Sequence, residues 1–414
     1  MANKKNILYL LPWLLLLITI NSHGQTLQLG NTIFWWLIQF FVLYLFWIIK
    51  IKFSSQLHKR ELKILDYYLL YIYVSFFWGA TISITYWDWK SLISNTMCLL
   101  IPIVAYSMDS KYLFKILLNR FIYISTPLFL FFQFFIAKDE FGFYLAPFTF
   151  ILLFLPILPL RWKVISVIVA LYVIFSDLGA RSNVVKFTIP ILISFLFYFK
   201  NIFKIKILNY LRILLLILPI LFFILGVMGV FNIFSPQGNN ATEIIDKKRD
   251  FKGEIVYENL LSDTRTVLYV DVLVTAKKYN SWLFGRSAAR GNISELYGDT
   301  DMNKRGERNG NEVAILNYFT WLGILGVFFI FLLFHKASYL AVNYSNNYFS
   351  KLVGIFVAFR WTYSWVEDIN IFYINNIYLW LMIGFCFSDT FRRMSDLEMK
   401  KWILDVFQFR KKIF

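Results

Sequence analysis

Arginines and carboxylates recur in this chain at spacings suited to handling an anion beside a polar acceptor. Asp177-Leu-Gly-Ala-Arg181-Ser182 sets a carboxylate and a guanidinium four residues apart, so both can share one helical face. Arg181 has two readings: its stem snorkels toward lipid headgroups, or its planar donor fork faces a phosphate, a geometry lysine does not offer. Ser262-Asp263-Thr264-Arg265 precedes Val267, Leu268, Val272 and Ala276, an apolar set at roughly helical spacing. With Ser262 or Asp263 as N-cap, Arg265 enters the first turn, where the positive helix end favours an anion. The β-branched residues keep a strand open as the alternative.

Further along, Asn280-Ser-Trp-Leu-Phe-Gly285 reads as a turn with an aromatic base, followed by Arg286 and Arg290. Asn292, Tyr297, Asp299 and Asp301 either bind sugar hydroxyls or form plain solvated loop. In Gly306-Glu-Arg308-Asn-Gly-Asn311-Glu312-Val, Glu312 stands where a polar stretch returns to an apolar run. Beside Arg308 and Asn311 it could act as a general base toward a hydroxyl, or cap a helix N-terminus through the macrodipole. Arg360, followed by Trp361, lies several residues inside Glu367-Asp368 in an apolar segment. It makes either an intramembrane ion pair or a substrate contact.

Some chemistry is unsupported. There is no Gly-x-x-x-x-Gly-Lys-Ser/Thr phosphate loop, no His-Glu-x-x-His and no Gly-x-Ser-x-Gly, which argues against ATP hydrolysis, zinc proteolysis and serine hydrolysis. His23, His58 and His335 are widely separated, so no zinc site is expected. Cys98 and Cys386 sit in apolar runs and give no disulfide framework.

The elements that position these residues are membrane spans. At 59% hydrophobic and 16% charged, the chain is too apolar for one soluble core. Candidate spans run over 6–21, 32–49, 66–87, 91–108, 118–137, 142–160, 162–177, 183–199, 211–234, 312–334, 349–366 and 371–389. The expected fold is therefore all-α and polytopic, with about twelve transmembrane helices. Its parts are helices one to nine (1–234), one large loop (235–311), helices ten to twelve (312–389) and a basic tail (390–414). Of the basic residues, 25 fall in alternate connections and in the two termini, against Lys90, Lys138 and Arg181 in the short loops opposite. That bias puts both termini in the cytoplasm and the large loop outside, and it accounts for the net charge of +17 without nucleic acid. Through Glu312 the loop carries 12 basic and 12 acidic residues, so its arginines are not a topogenic excess. The tail mixes Trp402, Ile403, Val406 and Phe407 with Arg and Lys, and reads as an amphipathic helix on the inner leaflet.

Taken in this order and sidedness, the chain resembles the bacterial O-antigen polymerases of the Wzy type, within the O-antigen ligase and polymerase group. The resemblance rests on Gly179-Ala-Arg181-Ser182, on Ser262-Asp263-Thr264-Arg265, on Trp282-Leu-Phe-Gly285, and on Asn311-Glu312-Val-Ala-Ile-Leu-Asn317-Tyr-Phe-Thr-Trp-Leu-Gly323-Ile-Leu-Gly326. The chain departs from the ligase pattern, since Glu312 stands where a histidine would be.

The resemblance implies a metal-independent, cofactor-free glycosyltransferase of the bacterial inner membrane that polymerises undecaprenyl-pyrophosphate-linked repeat units into surface polysaccharide. Arg181 and Arg265 would neutralise charge on the pyrophosphate, Glu312 would accept a sugar hydroxyl's proton, and Arg360, Arg286, Arg290, Arg308 and Asn311 would contact substrate. The lipid-linked glycans and the bilayer are the implied partners, and a polysaccharide chain-length regulator is a possible one. Two alternatives stay open: an O-antigen ligase, and a lipid-linked oligosaccharide flippase, whose charges should instead reach both faces.

Overall fold

In lipid every backbone N–H and C=O must find its partner inside the protein, so long apolar runs fold as helices. The computed structural model describes residues 10–18, 30–53, 60–228, 245–249, 255–259, 265–294 and 306–408, and these are predominantly helical. In chain order they form α1 (10–18), α2 (Thr32–Phe53), α3 (Lys63–Ile82), α4 (Tyr86–Leu99), a 3₁₀ segment (Ile101–Asp109) and α5 (Lys111–Arg120). A π-turn at Phe121–Ser125 carries α5 into α6 (Thr126–Phe132). The short α7 (Phe141–Tyr144) and α8 (Phe148–Leu152) lead to α9 (Leu160–Ser176), α10 (Arg181–Phe195) and α11 (Ile205–Val227). After an antiparallel hairpin, β1 (Ile245–Arg249) with β2 (Ile255–Asn259), comes α12 (Thr266–Lys278). A second small antiparallel ladder pairs β3 (Asn292–Ile293) with β4 (Glu307–Arg308). Then follow α13 (Ala314–Asn343), α14 (Tyr348–Tyr363), α15 (Ile374–Phe387), α16 (Asp389–Arg392) and α17 (Asp396–Val406).

Five of the described helical runs are long and apolar enough to cross a bilayer: Thr32–Ile51, Tyr86–Asp109, Lys111–Phe135, Ile205–Val227 and Ala314–Asn343. The helix Ile205–Val227 has a mean hydropathy of 2.6, yet only 17% of its most apolar window is buried by protein. That much apolar surface needs lipid to cover it, and the chain is a membrane protein. The core is built from α13, α14 and α15, with α15 packed on the 3₁₀ segment and α14 on α11.

The described residues are mostly helical and carry only two small ladders, as expected of an all-α fold. Two expectations are corrected. The run 142–160 is not one regular helix but α7, a turn, α8 and a 3₁₀ turn at Leu155–Ile157. Pro147, Pro156 and Pro159 each remove an amide donor there, and the irregular stretch is tolerated because 144–154 is wrapped in protein. Nor does the tail rest its apolar face on lipid, for Trp402, Ile403, Val406 and Phe407 are buried in protein. Trp402 stacks on Phe114 at 5.7 Å, and Lys115 pairs with Asp405 at 2.9 Å.

Two backbone defects hold the site's scaffold. Pro219 within α11 cannot donate to the carbonyl of Leu215. The Thr362 hydroxyl donates to that carbonyl instead, and Trp361 Nε1 donates to the next one, Leu216, at 3.0 Å. The C-terminal end of α14 is thereby pinned to α11.

In α13 the helix breaks at Gly323, with φ 67° and ψ −165°. A loop from the polar insert fills the break with backbone hydrogen bonds: Ile324 N–H to the Trp282 carbonyl at 2.9 Å, Arg286 N–H to Thr320 at 2.6 Å, and Ser287 N–H to Trp321 at 3.1 Å. The approach requires glycine, since a β-carbon on Gly323 would lie 2.3 Å from the Leu283 carbonyl oxygen. Gly323→Ala should therefore lower stability by about 1–3 kcal/mol from the backbone strain alone, read as a drop in thermal unfolding temperature in detergent. Gly310→Ala, where nothing lies within 4 Å, should leave it unchanged.

Candidate functional site

Three separate stretches meet at the turn that follows α14. Arg360 is in the last turn of α14 and 2% exposed. Glu367, in the following turn and 5% exposed, has one carboxylate oxygen 2.5 Å from Lys186 Nζ of α10 and the other 3.6 Å from Arg360 Nη1. Lys186 is fully buried, accepted by Asn183 Oδ1 at 3.3 Å and stacked over the Phe143 ring at 3.9 Å. Two buried cations thus share one carboxylate. Arg360 Nε and Nη2 are buried with no hydrogen-bond partner among the described residues. A buried guanidinium with unfilled donors is costly, and an anion is the group that would complete it.

The same turn gathers the other stretches. Tyr363 donates its hydroxyl to the carbonyl of Ser182, next to Arg181, and its ring lies 5.3 Å from the Arg360 guanidinium. Arg265 donates from Nε to the carbonyl of Val366 at 2.9 Å. It is the N-cap residue of α12, not a first-turn residue, and the segment 266–278 is helix and not strand. Ser262, Asp263 and Thr264 lie outside the described residues. Arg181 opens α10 and is exposed, while Asp177 Oδ1 accepts the backbone N–H groups of Gly179 at 2.8 Å and Ala180 at 3.3 Å.

An apolar groove of about 440 Å³ opens beside this turn, between α11 and α12. Leu218, Phe222 and Phe223 form one wall, Val270 and Leu273 the other, and Trp365 and Val366 close its end. Val366 belongs to both places: it lines the groove and its carbonyl holds Arg265. A cationic patch therefore adjoins a lipid-like slot.

Glu312 borders the site without capping α13. The first free N–H groups of that helix, Ala314 and Ile315, go to the carbonyls of Glu367 and Ser364, both at 3.1 Å. Glu312 is left 57% exposed, its carboxylate open to solvent and paired with Arg308 at 3.2 Å. Behind it Asn311 is buried and locked to Asn317, which accepts the Asn311 N–H at 2.7 Å and donates to the Asn311 carbonyl at 2.9 Å. Asn317 also donates to Asp368 Oδ2 at 3.2 Å. Burial pushes the Asp368 carboxyl up to about 7, against the pull of hydrogen bonds from Asn370 and Asn317, and the charges of Glu367 and Glu312 push the same way.

No protein-family model, no curated protein and no solved structure matches this chain.

Arg286 and Arg290 lie elsewhere. Arg286 pairs with Glu307 at 2.7 Å and stacks over Tyr279 at 3.9 Å. Arg290 donates to the Ile82 carbonyl at 3.0 Å and faces Asp88 at 3.8 Å. Asn292 is buried against Thr320, which removes it as a sugar ligand, and Tyr297, Asp299 and Asp301 lie outside the described residues. Sequence reasoning missed Lys186 and gave Glu367 no role. The available signal was a lone lysine within an apolar run.

The shared carboxylate makes an asymmetric prediction. Glu367→Gln strands two cations and should cost about 3–5 kcal/mol, whereas Lys186→Met leaves one cation with one carboxylate and should cost clearly less. Thermal unfolding of the two variants in the same detergent checks the order.

Proposed function

We propose that the chain polymerises undecaprenyl-pyrophosphate-linked oligosaccharide repeat units into surface polysaccharide at the outer face of a bacterial plasma membrane. The observation that carries this reading is the pairing of the buried, under-compensated Arg360–Lys186 cluster with an apolar groove lined by Val366, whose carbonyl holds Arg265. A polyprenyl pyrophosphate is an anion on a long apolar chain, and the two neighbours match its two ends. In this reading twelve spans place both termini in the cytoplasm and the polar insert outside, and the distribution of basic residues supports that arrangement.

The chemistry follows from charge. An acceptor sugar hydroxyl attacks the anomeric carbon of the donor glycan, its oxygen forming the new glycosidic bond. The bond from that carbon to the pyrophosphate oxygen breaks, and the pyrophosphate leaves with the electron pair. Arg265 and Arg360, with Arg181 nearby through Ser182, neutralise the charge that grows on the leaving group, a preorganised electrostatic contribution. Glu312, exposed beside Arg308, takes the acceptor's proton. Asn311 and Asn317 position it by fixing the backbone where the insert meets α13. The charged groups so placed lie together at one end of α10, α13 and α14, which favours a one-sided site over a transport path.

Replacement of the chromosomal copy in the source strain tests this. Arg360→Met and Glu312→Gln, each inserted at normal levels, should reduce long-polymer glycan by about 10²-fold or more and leave single-repeat glycan on the surface. Persistent long ladders in both variants would overturn the assignment. Polymer that accumulates without attachment would indicate a ligase, and loss of all external glycan a flippase.

A further inference from the structure

A second cavity, of about 570 Å³, lies at the other end of α12 from Arg265. Its walls are exposed aromatic and apolar side chains, chiefly Trp78 of α3 with Leu283 and Phe284 of the insert loop. Its base is polar: Arg286 and Glu307, 9% and 4% exposed and 2.7 Å apart, with Arg290, Asn280 and Ser281 beside them. The loop that carries Phe284 cannot wander, because its backbone is threaded into the break of α13 at Gly323.

We propose that this cavity is a glycan-binding subsite for a neutral, hydroxyl-rich sugar of the substrate. Charge and shape both select such a ligand. Each cation at the base already faces a carboxylate, Arg286 with Glu307 and Arg290 with Asp88, so the base has no excess charge to attract a phosphate. It is too polar for an acyl or prenyl chain, whose burial against charged groups would strip them of solvent without replacing it. A sugar ring offers C–H faces to Trp78 and Phe284, and hydroxyls that both donate and accept at the guanidinium and carboxylate edges. The volume falls within the range of small-molecule sites, roughly 300–1,000 Å³.

The inference deepens the polymerase reading and rests on it for the identity of the glycan. The 13 residues of α12 span about 20 Å at ~1.5 Å per residue, so the subsite holds a sugar well removed from the pyrophosphate end. It would set which glycan is accepted, not the bond-making step.

The test uses the full chain in lipid nanodiscs over an array of neutral oligosaccharides of varied composition. Retention of a subset is expected, weakened about 10-fold or more by Phe284→Ala and by Trp78→Ala, and unaffected by Arg360→Met. No retained oligosaccharide, retention unchanged in both aromatic variants, or preference for phosphorylated over neutral sugars would overturn the proposal. The probes carry no pyrophosphate, so the subsite can fail while the polymerase reading stands, and the reverse.

Discussion

Two buried cations that share one carboxylate set the terms for the rest of this protein. Glu367 lies 2.5 Å from Lys186 and 3.6 Å from Arg360, and no other side chain among the described residues forms an ion pair with either cation. In a low-dielectric interior such an excess of charge is expensive, and it persists only where the surrounding structure fixes the groups. The fixing is visible in the contacts of the last turn of α14 and of the turn that follows it. Thr362 and Trp361 are tied to the carbonyls left open around Pro219, Tyr363 to Ser182, and Glu367 and Ser364 to the start of α13. The cluster is thus held from four helices, and in the proposed reading its excess positive charge is met by an anion.

The polar insert is built into this scaffold and does not hang from it. Arg265 is joined to the turn through the Val366 carbonyl, α12 forms one wall of the apolar groove, and the loop beyond it completes α13 at Gly323. Irregular backbone is tolerated there because the amides of Ile324, Arg286 and Ser287 find carbonyl partners across the break. Groove, cationic turn and aromatic cavity are consequently all contacted by residues 265–294, with Glu312 next to the start of α13.

Much of this was readable from residue types. The apolar runs announced the helices, and the three places singled out for their arginines, around Arg181, Arg265 and Arg360, do converge on one turn. What could not be read depends on long-range partners. Lys186 looked like an ordinary residue of an apolar run until Glu367 arrived from 181 residues away. Arg286 read as a substrate contact, and nothing in the local pattern pointed to Glu307, 21 residues further on, as its ion-pair partner. The tail's amphipathic pattern was correct as a pattern, but periodicity does not say whether lipid or the Phe114 face of α5 covers it. The run 142–160 passed for one regular helix because composition ignores how three prolines interrupt the backbone.

The central claim is that the Arg360–Lys186–Glu367 cluster holds the pyrophosphate of a polyprenyl-linked substrate. The most direct measurement is native mass spectrometry of the purified chain with undecaprenyl pyrophosphate, beside the Arg360→Met variant, which keeps one cation for one carboxylate. The account predicts a single retained lipid pyrophosphate, held at least about 10-fold more weakly by the variant. Equal retention by both proteins, or none by either, would contradict it.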